Sequence, residues 1–244
     1  MMFKNQIKHS YQDVSEEYYV QNLHPTSANF RLASQYFIRE VMDSIPRPDQ
    51  LSFLEVGAGR SIAGEIFEEL HYPLKNLYIT DLHESMLSYS REYAVKGAHL
   101  KVCDAEDTTA DFAGIDYLIS SLGDPYNTRK FWESTYNVLK PNGYCIFTTP
   151  SLEWSMQFRE KFQHGDMHHA HFVLKNGAEV NVPSYIHTLY DQVELVTKVG
   201  FTVLKHQNIY LKDIPGYISP KLRLSQGSDL AIVTGYLLQK CPNN

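Results

Sequence analysis

Three things are scarce in these 244 residues, and each scarcity removes a class of protein. Cysteine occurs only at Cys103, Cys145 and Cys241, an odd number in no metal-like spacing. A disulfide framework is therefore excluded, and free, buried thiols in a reducing compartment are expected. Long apolar runs are missing. None approaches the ~20 residues of a membrane span, and Met1 to Gln6 show no apolar leader core, so no membrane association and a cytoplasmic location are expected. Positive charge is short as well. Twenty-two Lys and Arg against 28 Asp and Glu give a formal charge of −6, and a groove for nucleic acid needs clustered cations. Internal repeats and low-complexity tracts are absent.

What is present suits one globular domain over residues 1–244. Apolar residues make up 43% and charged residues 20%, an ordinary balance for a folded chain. Seventeen Tyr and twelve Phe are many for this length, and Tyr11, Tyr18, Tyr19 and Tyr36 gather early. A tyrosine ring offers apolar area with a polar tip, so some of these could wall a planar ligand.

Residues 1–50 read as a helical cap, with Ala28, Leu32, Ala33, Tyr36, Phe37, Val41 and Met42 at helical spacing. From Leu51 strand-like and helix-like runs alternate. The strand-like runs are 51–56, 77–80, 99–102, 117–120 and 144–149; the helix-like runs are 61–70, 84–94 and 128–139. That alternation predicts right-handed crossovers and a mostly parallel, doubly wound α/β sheet over 51–150. Residues 151–187 read as an insertion: a helix over 152–162, then a hairpin turning at Asn176-Gly177. Residues 188–244 supply a helix over 190–199 and strands over 201–204 and 229–238, an antiparallel pair at one sheet edge.

Four elements sit where such a sheet binds its ligand, at the carboxyl ends of successive strands. The first is Glu55-Val56-Gly57-Ala58-Gly59-Arg60-Ser61, where two glycines let the backbone pass close to a ligand. The helix after it is expected to aim its N-terminal amides at that ligand. The second is Asp81, 24 residues after Gly57, a carboxylate able to accept from both hydroxyls of a ribose. Asp104-Ala105-Glu106 closes the third strand with acids suited to an adenine amine, and Ser120-Ser121-Leu122 follows the fourth. A nicotinamide fingerprint would require a glycine at position 62, where Ile62 stands.

With these residues the chain resembles the class I S-adenosylmethionine-dependent methyltransferases, and most of all the small-molecule, type 11 group that includes ubiquinone and menaquinone biosynthesis enzymes. The likeness is clear over 51–149 and looser over 190–238. It implies a seven-stranded, mostly parallel Rossmann-like sheet with an antiparallel edge strand, and S-adenosylmethionine as cofactor. Glu55, Gly57, Ala58 and Gly59 would take the methionine end, Asp81 and Leu82 the ribose, and Asp104, Ala105 and Glu106 the adenine. Met86, Ser120, Ser121 and Leu122 complete the implied contacts. Tyr11 and Tyr19 resemble the aromatic cap that such enzymes place over the cofactor. Ser61 stands where many members have a third glycine.

Methyl transfer from a sulfonium is an in-line displacement, so the protein must chiefly align the acceptor and exclude water. A base helps where the acceptor carries a proton. Among eleven histidines, His187 and His168 lie in the insertion expected to shape the acceptor pocket, and Tyr126 follows strand four. His164, Asp166, His168, His169 and His171 invite a metal, but neither helical nor strand spacing gathers three of them, so none is expected. Asp124-Pro125-Tyr126 has one proline where base-amine methyltransferases carry two. The expected partner is therefore a small-molecule acceptor, with nucleic acid or protein substrates as the lesser reading and a monomer or homodimer as the assembly. A cofactor-binding module without catalysis would carry the same motifs.

Overall fold

A computed structural model describes residues 11–158, 167–223 and 229–242. Its main element is a seven-stranded sheet in the order β3-β2-β1-β4-β5-β9-β8. The strands are β1 (Phe53–Val56), β2 (Leu77–Asp81), β3 (His99–Val102), β4 (Ile115–Ser120), β5 (Leu139–Pro150), β8 (Phe201–Tyr210) and β9 (Ala231–Lys240). A separate two-stranded hairpin pairs β6 (Met167–Val173) with β7 (Glu179–Tyr185). β1 to β5 run parallel, while β9 runs antiparallel to both β5 and β8. The fold class expected from the residues, with an antiparallel pair at that edge, is the one observed.

Alternation along the strands explains why the sheet is covered on both faces. Phe53, Ile79, Tyr117, Ile119 and Ile146 enter one apolar cluster, together with Phe37, Ile38 and Val41 of helix α1 (Pro25–Asp43) and Ile66 and Phe67 of α2 (Ile62–Glu69). Leu54, Val56, Leu118, Cys145 and Phe147 enter the other, against Phe131 and Trp132 of α5 (Arg129–Val138) and Val196 of α7 (Leu189–Val199). A residue period of two on each strand thus feeds two cores.

Several boundaries differ from the sequence reading. The helix expected over 84–94 is broken into α3 (Glu84–Leu87), a tight turn at Ser88–Ser90, and α4 (Arg91–Val95). Ser90 is drawn out of regular helix because its hydroxyl donates to Gly59 O at 2.6 Å and accepts Ser61 N–H at 2.8 Å. β5 starts at Leu139, directly after α5, and carries Asn142 at φ +64° rather than a separate turn. The hairpin turns where expected, with Gly177 at φ +83°, and pairs Met167–Val173 with Glu179–Tyr185. Helix α6 (Leu152–Phe158) forms as expected up to the limit of the described residues. Cys103 and Cys145 are buried free thiols, and Cys241 is half-buried.

Candidate active site

The glycine loop is built from the buried side. Glu55, fully buried on β1, turns its carboxylate to the start of α2, accepting Ile62 N–H at 3.0 Å, Ala63 N–H at 3.2 Å and the Ser61 hydroxyl. Ser61 in turn accepts Gly64 N–H at 2.7 Å. The first amides of α2 are thereby used up inside the protein. This corrects two expectations: the helix terminus does not aim free amides at a ligand, and Glu55 does not line the cavity. An acid two residues before the first glycine serves as a cap that fixes the loop from behind. Burial pushes its carboxyl up to about 7, against the opposing pull of those hydrogen bonds.

On the open side Gly57 and Gly59 have φ of +60° and +47°, a region that L side chains avoid. Space forbids a side chain there too. A Cβ on Gly57 would meet the Tyr126 hydroxyl, and one on Gly59 the Tyr19 hydroxyl. Asp81, at the end of β2, accepts Gly59 N–H at 2.9 Å with one oxygen and His83 N–H at 2.9 Å with the other. Asp104 accepts Glu106 N–H at 2.9 Å and so orders the turn after β3.

Above these strand ends lies one cavity of about 570 Å³. Of the residues singled out in the sequence, Tyr11, Tyr19, Gly57, Ala58, Asp81, Leu82, Met86, Asp104, Ala105, Glu106, Ser121, Leu122 and Tyr126 line it. Gly59 and Ser120 stand just behind the wall. Gly59 is held by Asp81, and the Ser120 hydroxyl lies 3.2 Å from the Tyr126 hydroxyl.

Two of the three candidate bases are elsewhere. His187 does not line the cavity, and its Nε2 lies 3.1 Å from the Asn127 carbonyl, where an N–H would donate. His168 sits on β6 opposite Ser184, also off the cavity. The insertion therefore supplies the hairpin rather than a histidine. Tyr126 does face the cavity, donating to Val56 O at 3.1 Å. Burial pushes its phenol well above the usual range. His164 and Asp166 lie outside the described residues, and among the described ones no group of three His, Cys, Asp or Glu could hold a metal.

The roof was the part that spacing did not reveal. Residues 11–24 form a strap whose Tyr11, Tyr18 and Tyr19 line the cavity. Tyr19 OH accepts Arg60 N–H at 2.8 Å, and Tyr89 OH donates to Ser15 O at 2.7 Å, pinning the strap to the loop and to the turn after α3. Ser27, Ala28, Arg31 and Gln35 of α1 extend the wall at helical spacing. That periodic polar stripe was the available signal for them. Arg31 donates to Arg60 O at 2.6 Å and to Glu65 at 2.7 Å.

A parallel sheet in this order, with an antiparallel pair at one edge and a glycine loop facing acids at the ends of β2 and β3, is the arrangement that the resemblance to class I methyltransferases implies. Residues 54–147 match the family described as "Methyltransferase domain", type 11. No curated protein sequence matches the chain. Among solved structures it is similar to an S-adenosylmethionine-dependent methyltransferase from Clostridium acetobutylicum, at 13% identity and a TM-score of 0.61, over 95% of this chain and 99% of that one. One from Mesorhizobium loti is 13% identical with a TM-score of 0.55, over 85% and 98%. A Haloferax volcanii protein described as a methyltransferase in complex with the Trm112 methyltransferase activator is 12% identical with a TM-score of 0.63, over 98% of both chains. Residues 54–147 thus match a type 11 methyltransferase domain, and the chain as a whole has the fold of solved S-adenosylmethionine-dependent methyltransferases.

Proposed function

We propose that the chain transfers a methyl group from S-adenosylmethionine to a small-molecule acceptor held under the aromatic strap. One observation carries this reading: a single roofed cavity unites the glycine loop, the β2 and β3 acids and a tyrosine-rich wall. The residues suit the cofactor, because Asp81 holds a carboxylate at the cavity wall and the loop leaves no room for a side chain at Gly57 or Gly59. In this reading Gly57 and Ala58 receive the methionine end, Asp81 and Leu82 the ribose, and Asp104, Ala105 and Glu106 the adenine; Met86 and Leu122 pack against them.

Bound S-adenosylmethionine supplies an electrophilic methyl group on a sulfonium, whose thioether leaves without charge. The chain's own work is then to orient the acceptor and keep water out. The strap closes over the cavity with the hairpin packed behind it, and burial holds the phenols of Tyr19 and Tyr126 neutral. A cavity of this size favours a small molecule over a macromolecular chain.

Calorimetric titration with S-adenosylhomocysteine, with NAD in parallel, tests the cofactor half of the reading. Binding of the former alone in the micromolar range, about −8 kcal/mol, is the expected result. Binding of NAD alone would overturn it. A second reading draws on the Haloferax neighbour and its activator: the chain would act only in a complex. Methylation of extract components by the purified chain alone decides against that reading.

A further inference from the structure

Helix α1 lines one wall of the cavity. From His24, its N-cap, to Arg31 beside the glycine loop is seven residues or about 10 Å along the axis. At the His24 end, Tyr18 and His24 line the wall, and Phe172 of β6 packs against both, with ring centroids 5.7 Å and 5.6 Å away.

His24 is held by an acid. Its Nε2 lies 3.2 Å from Glu17 Oε1, and the two Glu17 oxygens also accept Lys175 N–H at 3.0 Å and 3.2 Å from the hairpin turn. The carboxylate fixes the tautomer: Nε2 carries the proton and Nδ1 keeps its lone pair. The other cavity-lining imidazole, His83, is turned to Asp81, with Nδ1 at 3.5 Å, among the residues given to the cofactor.

We propose that His24, oriented by Glu17, takes the proton from the methyl acceptor, and that this acceptor is a small phenol-type aromatic alcohol. The proposal rests on the S-adenosylmethionine reading above. The acceptor oxygen forms a bond to the methyl carbon as the carbon–sulfur bond breaks. That bond's electron pair stays on sulfur, and the hydroxyl proton passes to His24 Nδ1. Tyr18 and Tyr126, with Phe172 behind, offer apolar faces to a planar ring. An ammonium acceptor is poorly served here. Of the acids lining the cavity, Asp81 is engaged by Gly59 and His83, Glu65 by Arg31 and Arg60, Asp104 by Glu106 N–H, and Glu106 by the Thr128 hydroxyl. An anionic acceptor fares no better, since Arg31 and Arg60 both pair with Glu65.

The test uses the full chain with ¹³Cε1-labelled histidine, saturated with S-adenosylhomocysteine and titrated with catechol, anisole or benzylamine. Catechol should bind at least tenfold tighter than the other two and shift the His24 resonance, assigned by its loss in His24→Gln. Given labelled S-adenosylmethionine, the wild-type chain should methylate catechol, and His24→Gln should be slower by roughly 100-fold or more, the usual worth of a positioned base. Glu17→Gln, which keeps a carbonyl acceptor beside Nε2, should show a smaller loss.

Failure of catechol to bind the loaded protein overturns the proposal. So does an unmoved His24 resonance, tighter binding of benzylamine, or wild-type methylation of catechol by folded His24→Gln. If S-adenosylhomocysteine itself does not bind, the cofactor reading falls and takes this one with it. If it binds and catechol is refused, only this one falls.

Discussion

At the scale of single residues, Asp81 and Glu55 show how alike two acids can look in a sequence and how differently they serve. Asp81 bonds the backbone on both sides while still facing the cavity. Asp81→Ala should weaken S-adenosylhomocysteine binding by about 2–4 kcal/mol, roughly 30- to 1000-fold, in the calorimeter. A change under about threefold in a folded protein would reduce Asp81 to a loop cap. Glu55 is instead a matter of stability. Its carboxyl is raised from 4.5 to about 7 in the folded chain, so the native state binds more protons than the unfolded one between those values. Stability from this group is therefore complete below about pH 4.5 and is lost as pH rises toward 7, by up to about 3 kcal/mol. Denaturant melts across that window should show this decline, and Glu55→Gln should flatten it. The glycines and both acids were legible because their spacing marks strand ends. That Glu55 points backward was not, since a sequence does not say to which side a loop turns.

At the scale of elements, the strap is the part whose removal is most informative. Tyr18 and Tyr19 stack edge to face at 4.9 Å, and Tyr19 packs on Tyr89 at the same distance. Removing residues 1–20 should leave a folded sheet but speed the release of S-adenosylhomocysteine at least tenfold in stopped-flow measurements. Unchanged release would make the strap mere packing. Strand–helix alternation was readable from residue 51 onward because each strand feeds two cores. The strap's Tyr11 and Tyr19 were expected from the resemblance alone; its tie to the hairpin was not readable, because the Glu17–Lys175 contact joins positions 158 residues apart. Local period and turn chemistry carry no record of such a pairing. For the same reason His168 and His187, expected at the acceptor pocket, stand off the cavity in the structure.

At the scale of the whole molecule, the ligand and the fold should be thermodynamically linked, since the cavity draws on the strap, α1 and the ends of β1 to β4. S-adenosylhomocysteine at 100 times its Kd should add about 2.7 kcal/mol to stability. For a chain of this size that is a rise of roughly 5–10 °C in Tm. Scanning calorimetry with and without the ligand measures it, and an unmoved Tm would show that nothing binds the native state preferentially.

The sheet order also governs the sequence of events on the ribosome. Among the described residues β8 has one neighbour, β9, and β9 also pairs with β5. Until Ala231–Lys240 has been synthesised, Phe201–Tyr210 has no partner and β5 stands as an open edge. At about 5–20 residues per second that interval lasts several seconds. During it, the nascent chain exposes a strand template to its neighbours, which makes this the stage at which a chaperone would matter most.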